Sequence, residues 1–151
     1  MTDTLSPSAA DYNPLHAAYY ADRAVQYRVR IAENLRIAAD TYRVRFECPE
    51  IARRIVPGQF LMVRLAELDD PLLGRPLALY DVVRDAAGAP WGIDVVYLVL
   101  GKMTAQLAIC GPGVELDVWG PLGNGFPPRP TEHLVMVAGG IGQTPFLALG
   151  Q

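Results

Sequence analysis

Apolar and polar residues alternate along much of the chain with the two-residue period of strands that bury one face. The alternation is clearest in 27–32 and 41–46, where tyrosine, valine, isoleucine and phenylalanine are interleaved with arginine. Four more strand-like runs follow, at 59–65, 75–80, 93–100 and 114–119. Turn signals such as Pro57-Gly58 separate the runs. About six short strands with one short helix predict a mainly β fold, built as a small antiparallel barrel.

The one helix of this part is predicted directly after the fifth strand. Gly101-Lys102-Met103-Thr104 ends that strand, Thr104 suits the N-cap position, and 105–109 forms the helix. The unpaired N–H groups at a helix N-terminus that faces a strand end can receive an anion. The alternative is an ordinary connection between a strand and a helix.

The pattern changes after Pro127-Pro128-Arg129-Pro130, a stiff connector that marks a candidate domain boundary. Residues 133–138 form a continuous apolar run, typical of a parallel strand covered on both faces. A glycine turn at 139–145 and the start of a helix at 146–149 follow. Strand, glycine turn and helix open a nucleotide-binding α/β unit, although the spacing here is G-x-G-x-x-P.

These patterns divide the chain into three parts. We expect an N-terminal tail at 1–26, a β-barrel at 27–126 and the truncated start of an α/β domain at 131–151. A βαβ unit needs a crossover helix and a second parallel strand, and neither follows before Gln151. The last segment therefore either folds back on the barrel or belongs to a longer protein.

Composition and charge exclude several classes of function. The chain of 151 residues has 13 basic and 16 acidic residues and a net charge of −3, so it lacks the basic stripe of a nucleic-acid-binding protein. No apolar run reaches the length of a membrane span. Cys48 and Cys110 form neither a disulfide framework nor a metal-ligand cluster. We expect a soluble, cytoplasmic protein with no metal site.

The strands carry charged residues, but no constellation of a catalytic acid, base or nucleophile. The alternation assigns Asp94 and Asp117 to the solvent faces of their strands. The same interpretation holds for the arginines of the first two strands, Arg28, Arg30, Arg43 and Arg45. No catalytic residue is therefore predicted.

The stretch from Arg75 to Tyr80 carries the strongest candidate for anion recognition. A guanidinium is a planar, permanently charged donor that suits phosphate, and Arg75 lies where an apolar strand begins. Pro76 suits a strand start because it lacks an N–H group. The strand could present backbone groups and one arginine to a phosphorylated planar cofactor. The alternative is an ordinary buried strand with a solvated arginine.

Five motifs in order resemble the ferredoxin–NADP reductase superfamily, and within it the electron-transfer subunit of dihydroorotate dehydrogenase. The resemblance covers roughly 27–150, and the Gly-Pro-Leu-Gly-Asn-Gly-Phe loop is its most specific piece. The motifs are Pro57-Gly58-Gln59-Phe60, Arg75-Pro76-Leu77-Ala78, Val96-Tyr97-Leu98 with Gly101-Lys102-Met103-Thr104, the 120–126 loop, and the 139–145 turn. The resemblance implies a six-stranded Greek-key flavin-binding barrel followed by a nucleotide-binding α/β domain, with FAD between them.

The resemblance also implies which residues bind the cofactor. Arg75 would neutralise the FAD pyrophosphate, and the strand backbone would contact the isoalloxazine. The helix N-terminus at Met103 and Thr104 would take phosphate oxygens, and the glycines of the last turn would face the flavin edge and the nicotinamide nucleotide. The complete set is Arg75, Pro76, Leu77, Ala78, Val96, Tyr97, Leu98, Gly101, Met103, Thr104, Gly139, Gly140 and Gly142.

Three positions depart from the family pattern. Ala78 stands where serine or threonine is usual, Met103 where glycine is usual, and Gly74 where a second arginine is often found. We therefore expect flavin to bind through backbone groups, and less tightly. The family's C-terminal cysteine cluster for a [2Fe–2S] centre has no counterpart in Cys48 and Cys110, so no iron–sulfur site is expected in this chain.

The implied function is electron transfer between NAD(P)H, FAD and an iron–sulfur partner, as in pyrimidine biosynthesis. This would be an FAD-dependent, NAD(P)H-linked oxidoreductase activity if the missing half is supplied. The complete protein would bind NAD(P), and it would work with a catalytic partner subunit. One alternative is a truncated, non-catalytic barrel that acts as a binding or interaction module. Another is the flavin subunit of a related reductase, such as a sulfhydrogenase or an NADP transhydrogenase. The choice between NAD and NADP stays open.

Overall fold

The computed structural model describes residues 24–126 and 132–151. The first range contains six strands and two short helices, and the second contains a 3₁₀ turn and a third helix. The strands are β1 (Val25–Ala38), β2 (Thr41–Glu47), β3 (Phe60–Leu65), β4 (Arg75–Arg84), β5 (Pro90–Leu98) and β6 (Glu115–Leu122). The helices are α1 (Pro49–Ala52), α2 (Lys102–Ala108) and α3 (Phe146–Gly150), and the 3₁₀ turn covers Gly140–Gln143.

The six strands close into a barrel in the order β1-β2-β5-β4-β3-β6, with β6 pairing back to β1. Every pair is antiparallel. The predicted mainly β, six-stranded antiparallel barrel is therefore confirmed. The strands run from Val25 to Leu122, so the barrel begins two residues before the predicted boundary.

The core fills the inside of the barrel. Strands β2 and β3 alternate between buried and more exposed positions, as the two-residue period predicts, whereas β5 and β6 contain runs of consecutive buried residues. The inward side chains are mainly branched aliphatics with one phenylalanine, which pack well on a pleated surface. The fully buried members are Val44, Phe46, Leu61, Val63, Leu79, Ile93, Val95, Leu116 and Val118, joined by Ile51 from α1 and Leu107 from α2.

Two local predictions need correction. The first strand, predicted over 27–32, is longer, because β1 continues to Ala38 and accommodates a register shift between Ile31 and Glu33. Helix α2 begins at Lys102 with Gly101 at the N-cap, so Thr104 lies inside the first turn. The Thr104 hydroxyl still serves the helix start, since it accepts hydrogen bonds from the N–H groups of Leu100 and Gly101.

The predicted solvent exposure of two aspartates is wrong. Asp94 is 2% exposed and Asp117 is 5% exposed. Arg45 lies directly opposite Asp94 and holds it in two hydrogen bonds of 2.8 and 2.9 Å. Asp117 lies between Arg28 and Arg64 on the two neighbouring strands and accepts hydrogen bonds from both. The arginine side chains shield the carboxylates from water while neutralising them.

The predicted strand over 133–138 is also absent, because 132–139 form no strand. A strand needs a neighbour with free backbone groups, and the closed barrel offers no open edge. Leu134, Val135 and Val137 are exposed. The helix predicted from Phe146 is present as α3, which lies against β4, and Ala148 packs on the barrel core.

Some predictions fall outside the described residues. The N-terminal tail lies there apart from 24–26, of which Val25 and Gln26 belong to β1. The proline connector at 127–130 lies there as well. In the described part of the chain, none of the helices has the length and apolar character needed to cross a membrane.

Candidate functional site

A cavity of about 560 Å³ opens where β4 begins and β5 ends. We call it the β4–β5 cavity. Its walls come from four elements that are distant in sequence: the start of β4, the end of β5, the start of α2, and the glycine turn before α3. The lining residues are Arg75, Pro76, Leu77, Ala78, Val96, Tyr97, Leu98, Leu100, Gly101, Thr104, Ile141, Gly142, Thr144 and Pro145.

Arg75 is the one charged residue among the described residues that line this cavity. Within 24–126 and 132–151 its guanidinium makes one hydrogen bond, from Nη1 to the Gly74 carbonyl oxygen at 3.1 Å, and no ion pair. Arg45 and Arg64, in contrast, are both held by aspartates. Arg75 is exposed, so its positive charge is available to an anion that enters the cavity.

Tyr97 forms the most strongly buried part of the β5 wall, with 1% of its surface exposed. Its ring stacks on Tyr42 of β2, with 5.7 Å between the ring centroids and 18° between the planes. Its hydroxyl donates a hydrogen bond of 3.2 Å to Oδ1 of Asn34. Burial raises the pKa of Tyr97 to about 12, so the phenol stays neutral at physiological pH.

The α2 wall is fixed at both ends of the helix. At its start, Thr104 Oγ1 donates to the Gly101 carbonyl at 3.0 Å, while it accepts from Leu100 N and Gly101 N. At its end, Asn34 Nδ2 donates to the carbonyl oxygens of Leu107 and Cys110 at 2.8 and 2.9 Å. The Thr104 hydroxyl is therefore engaged within the helix start.

The fourth wall comes from the glycine turn. Ile141 and Gly142 line the cavity from the 3₁₀ turn, and Thr144 and Pro145 continue it to the start of α3. Thr144 and Pro145 are buried, so this segment is packed against the barrel at the cavity rim. The turn and the start of β4, separated by more than sixty positions in the chain, thus meet at one site.

The structure brings most of the predicted site residues together. All of them line the β4–β5 cavity except Met103, Gly139 and Gly140. Met103 is buried in the core because it occupies the inward side of α2, and the two glycines lie outside the lining. Four lining residues were not predicted: Leu100, Ile141, Thr144 and Pro145. The last three belong to the 139–145 motif, which could have identified them as site residues. No sequence motif identified Leu100.

The lining is built for binding rather than for proton transfer. Catalysis by an acid or base needs a group that titrates near the working pH. The described lining offers a guanidinium, a tyrosine with a pKa near 12 and two threonine hydroxyls, of which that of Thr104 is engaged in its own helix. The rest is aliphatic side chains and backbone, which suit a planar apolar group.

The two cysteines lie apart from this cavity. Cys48 is buried before α1, and burial raises the pKa of its thiol. Cys110 follows α2 and donates from Sγ to the Gln106 carbonyl at 3.2 Å, and burial raises its pKa as well. In the ranges that the structure describes, no group of three or more His, Cys, Asp or Glu side chains is arranged to hold a metal ion.

Curated proteins similar to this chain are electron-transfer subunits. The chain is 42% identical over 117 residues to the dihydroorotate dehydrogenase B (NAD(+)) electron-transfer subunit of Desulforamulus reducens, covering 76% of this chain and 43% of that protein. It is 36% identical over 127 residues to the subunit of the same name from Bacillus caldolyticus, covering 82% and 48%. The chain thus spans about half the length of the curated relatives it matches. No family model matches it.

Solved structures with a similar fold are reductases. An NADH-dependent reduced ferredoxin–NADP oxidoreductase is 30% identical with a TM-score of 0.55, over 66% of this chain and 34% of that one. Phthalate dioxygenase reductase is 20% identical with a TM-score of 0.61, over 83% and 38%, and at that identity it shows the fold alone. Over the part that it matches, the chain is therefore similar to the electron-transfer subunits of dihydroorotate dehydrogenase B, and its barrel has the fold of ferredoxin–NADP reductase-like proteins.

Proposed function

We propose that this chain binds FAD in the β4–β5 cavity and forms the flavin-binding part of an electron-transfer protein. The proposal rests chiefly on one observation: an apolar cavity whose only charge in the described lining is the unpaired guanidinium of Arg75. A flavin nucleotide combines a planar, largely apolar ring with phosphate. The cavity offers a complementary surface to each part.

The residues present fit the flavin in two ways. Leu77, Val96 and Leu98 offer apolar surface, and the strands that carry them bring backbone groups to the same wall. Ala78 leaves that wall small and without a hydroxyl, so the ring would be held by backbone groups and packing. A bound flavin supplies the redox chemistry, since it accepts electrons as a pair and passes them on singly.

The protein's own part is to bind, orient and shield the cofactor. Arg75 would hold the phosphate, and the buried Tyr97 ring would fix the position of the apolar wall. Thr144 and Pro145 close the rim from the other side and limit access of water. The described part of the lining holds no group that titrates near neutral pH, which fits a site where the cofactor performs the reaction.

The relatives suggest the wider role. Their names describe electron-transfer subunits of an NAD(+)-linked dihydroorotate dehydrogenase, which implies a catalytic partner subunit. We propose the same role for the complete protein: electrons pass between NAD(P)H, FAD and an iron–sulfur partner, with pyrimidine biosynthesis as the setting. The glycine turn at 139–145 would face the nicotinamide nucleotide. A cytoplasmic location stays a prediction of the sequence.

A titration of Arg75→Gln with FAD, FMN and riboflavin tests the proposal. Charge-assisted hydrogen bonds contribute roughly 1.5–3 kcal/mol each, which corresponds to about a 10- to 100-fold change in Kd. We expect this loss for FAD and FMN, which carry phosphate, and no change for riboflavin, which does not. Quenching of flavin fluorescence measures all three constants under one set of conditions.

Arg84→Gln is the matched control. Arg84 lies at the other end of β4, is exposed, and donates to the Gly88 carbonyl of its own turn. It lies outside the cavity lining, so its removal should leave all three constants unchanged. An equal loss for riboflavin in Arg75→Gln would contradict the phosphate role of Arg75. A wild-type protein that binds no flavin would contradict the whole proposal and favour a non-catalytic binding module.

A further inference from the structure

The end of β1 extends beyond the closed part of the barrel. β1 pairs with β6 over Val25–Arg30 and with β2 over Ile31–Ala38. On the β6 side, Ile31 still exchanges two backbone hydrogen bonds with the segment between α2 and β6. Residues 35–38 have β2 as their one strand neighbour in the described part of the chain. Their other side is an exposed strand edge, which is a template for pairing with another chain.

This edge carries exposed apolar side chains. Leu35 is 44% exposed and Ile37 is 51% exposed. Ile109 is 86% exposed, and it lies close to the same strand because Asn34 holds the carbonyl groups on either side of it. Apolar surface beside an unpaired strand edge is characteristic of a face that another polypeptide covers.

Two exposed residues of opposite charge lie along the same edge. Arg36 stands between the two apolar residues of β1, and Asp40 lies in the turn to β2. The Arg36 guanidinium donates from Nε to the Ala38 carbonyl at 3.2 Å. Within 24–126 and 132–151, the Asp40 carboxylate makes no hydrogen bond, and neither residue forms an ion pair. The edge therefore offers one free positive and one free negative charge.

We infer that this edge is an interface between two copies of the chain, which pair antiparallel about a two-fold axis near Ala38. In such an interface the same patch of both copies meets, so each contact occurs twice. With the axis near Ala38, Arg36 of each copy faces Asp40 of the other, and two ion pairs form. Ala38 and Ala39 have small side chains, so they let the two β1–β2 hairpins approach closely.

The order of charges is what selects a second copy as the occupant. An edge with charges of one sign would repel its own copy, because like charges that face each other across an interface are strongly unfavourable. Here the two signs are placed so that the edge is complementary to itself. Burial of Leu35 and Ile37 against the other copy adds hydrophobic stabilisation. None of these residues lines the β4–β5 cavity, so the inference does not depend on flavin binding.

Sedimentation equilibrium of the full chain over a range of concentrations tests the inference. The wild type should form a dimer. Arg36→Glu and Asp40→Lys should each weaken it about 10- to 100-fold, because each substitution places like charges opposite each other twice. An equimolar mixture of the two variants should dimerise again, since both facing pairs then regain opposite signs. Asp40 has a φ of 48°, so its replacement strains the turn, but mixing would not relieve that strain.

Arg53→Glu is the matched control. Arg53 is exposed, follows α1 and forms no ion pair within the described ranges, so the same change of charge there should leave the dimer intact. A wild-type chain that stays monomeric would overturn the inference and leave the edge to a different protein, such as the proposed partner subunit. A dimer that Arg36→Glu does not weaken, or a mixture of the two variants that stays monomeric, would overturn it as well.

Discussion

Asp117 shows how a single charged residue can be buried on the outside of a barrel. Its carboxylate lies between Arg28 of β1 and Arg64 of β3, at registered positions on three adjacent strands. Burial on its own would raise the pKa of Asp117, but the hydrogen bonds from Arg28 and Arg64 outweigh it and hold the pKa below its ordinary value. The charged form is therefore favoured in the folded state.

Replacing this carboxylate should remove stability in a pH-dependent way. Because the folded-state pKa of Asp117 is depressed, its contribution is present above about pH 4 and is lost as the pH falls further. We expect Asp117→Asn to lower the free energy of unfolding by about 1–3 kcal/mol at pH 7. The difference from the wild type should shrink below about pH 4. Urea unfolding at several pH values measures both.

Glu115→Gln is the matched control for this prediction. Glu115 pairs with Arg30 in the same ladder, but that pair is largely exposed. Exposed pairs contribute roughly 0–1 kcal/mol, so this variant should change stability little. A loss in Asp117→Asn that is as small as in Glu115→Gln would show that the flanking arginines do not stabilise the buried carboxylate.

The raised pKa of Tyr97 predicts that the stability of the fold decreases at alkaline pH. Its pKa, raised to about 12 by burial, exceeds the ordinary value near 10, so between these values the unfolded chain loses the phenolic proton first. Stability should therefore fall as the pH rises from about 10 towards 12. Tyr97→Phe should reduce that slope while costing about 1 kcal/mol at neutral pH for the lost bond to Asn34. An unchanged slope would contradict this account.

The sequence could not reveal these buried charges. The two-residue period assigns Asp94 and Asp117 to outward positions of their strands. Their burial comes from the arginines opposite them, such as Arg45 facing Asp94. Which residues stand opposite depends on strand order and register, and these are set by closure of the whole barrel rather than by the period of one strand.

At the scale of elements, Asn34 joins three parts of the structure. From β1 it accepts a hydrogen bond from Tyr97 of β5 and donates two to carbonyl groups at the end of α2. The β1 segment that carries it lies beyond the run predicted as a strand, 27–32. One amide thus fixes a cavity wall and the helix that forms the neighbouring wall.

Asn34→Ala should loosen the end of α2. The carbonyl groups of Leu107 and Cys110 lose their donor, and Tyr97 loses its acceptor. We expect hydrogen exchange of the Ile109 and Cys110 amides to become about tenfold faster, in line with the loss of one or two hydrogen bonds of roughly 1 kcal/mol each. NMR measures the exchange rates of these amides in the wild type and in Asn34→Ala, under conditions that give the two proteins equal global stability.

Gln59→Ala is the matched control for Asn34. Gln59 is also an amide with two hydrogen bonds, but it accepts from Val56 N and donates to the Gly123 carbonyl, at a different part of the barrel. Its removal should reduce global stability without selective acceleration in α2. Acceleration of the same size in both variants would show that Asn34 has no specific effect on the helix.

At this scale the sequence located α2 and α3 but not the exact start of α2. Thr104 was expected at the N-cap because its hydroxyl can accept from backbone N–H groups. It does accept from them, yet it does so from inside the first turn, with Gly101 at the N-cap. The strand at 133–138 was expected from its apolar run, but an apolar run forms a strand only where a partner edge is available.

At the scale of the whole molecule, the fold was predictable and the site only in part. Six strand-like runs and their turns were enough to predict a small antiparallel barrel. The β4–β5 cavity depends on the packing of the 141–145 segment against β4 and β5, which no local pattern specifies. The order of the motifs suggested that the 141–145 segment, β4 and β5 contribute to one site.

The most direct test of the central claim is an absorbance spectrum of the purified chain, recorded as isolated and after incubation with FAD and removal of the excess. If the barrel binds flavin as proposed, the protein will carry the two flavin bands in the blue and near ultraviolet. Those bands will be diminished in Arg75→Gln and retained in Arg84→Gln. A chain that stays colourless after incubation with FAD would contradict the account.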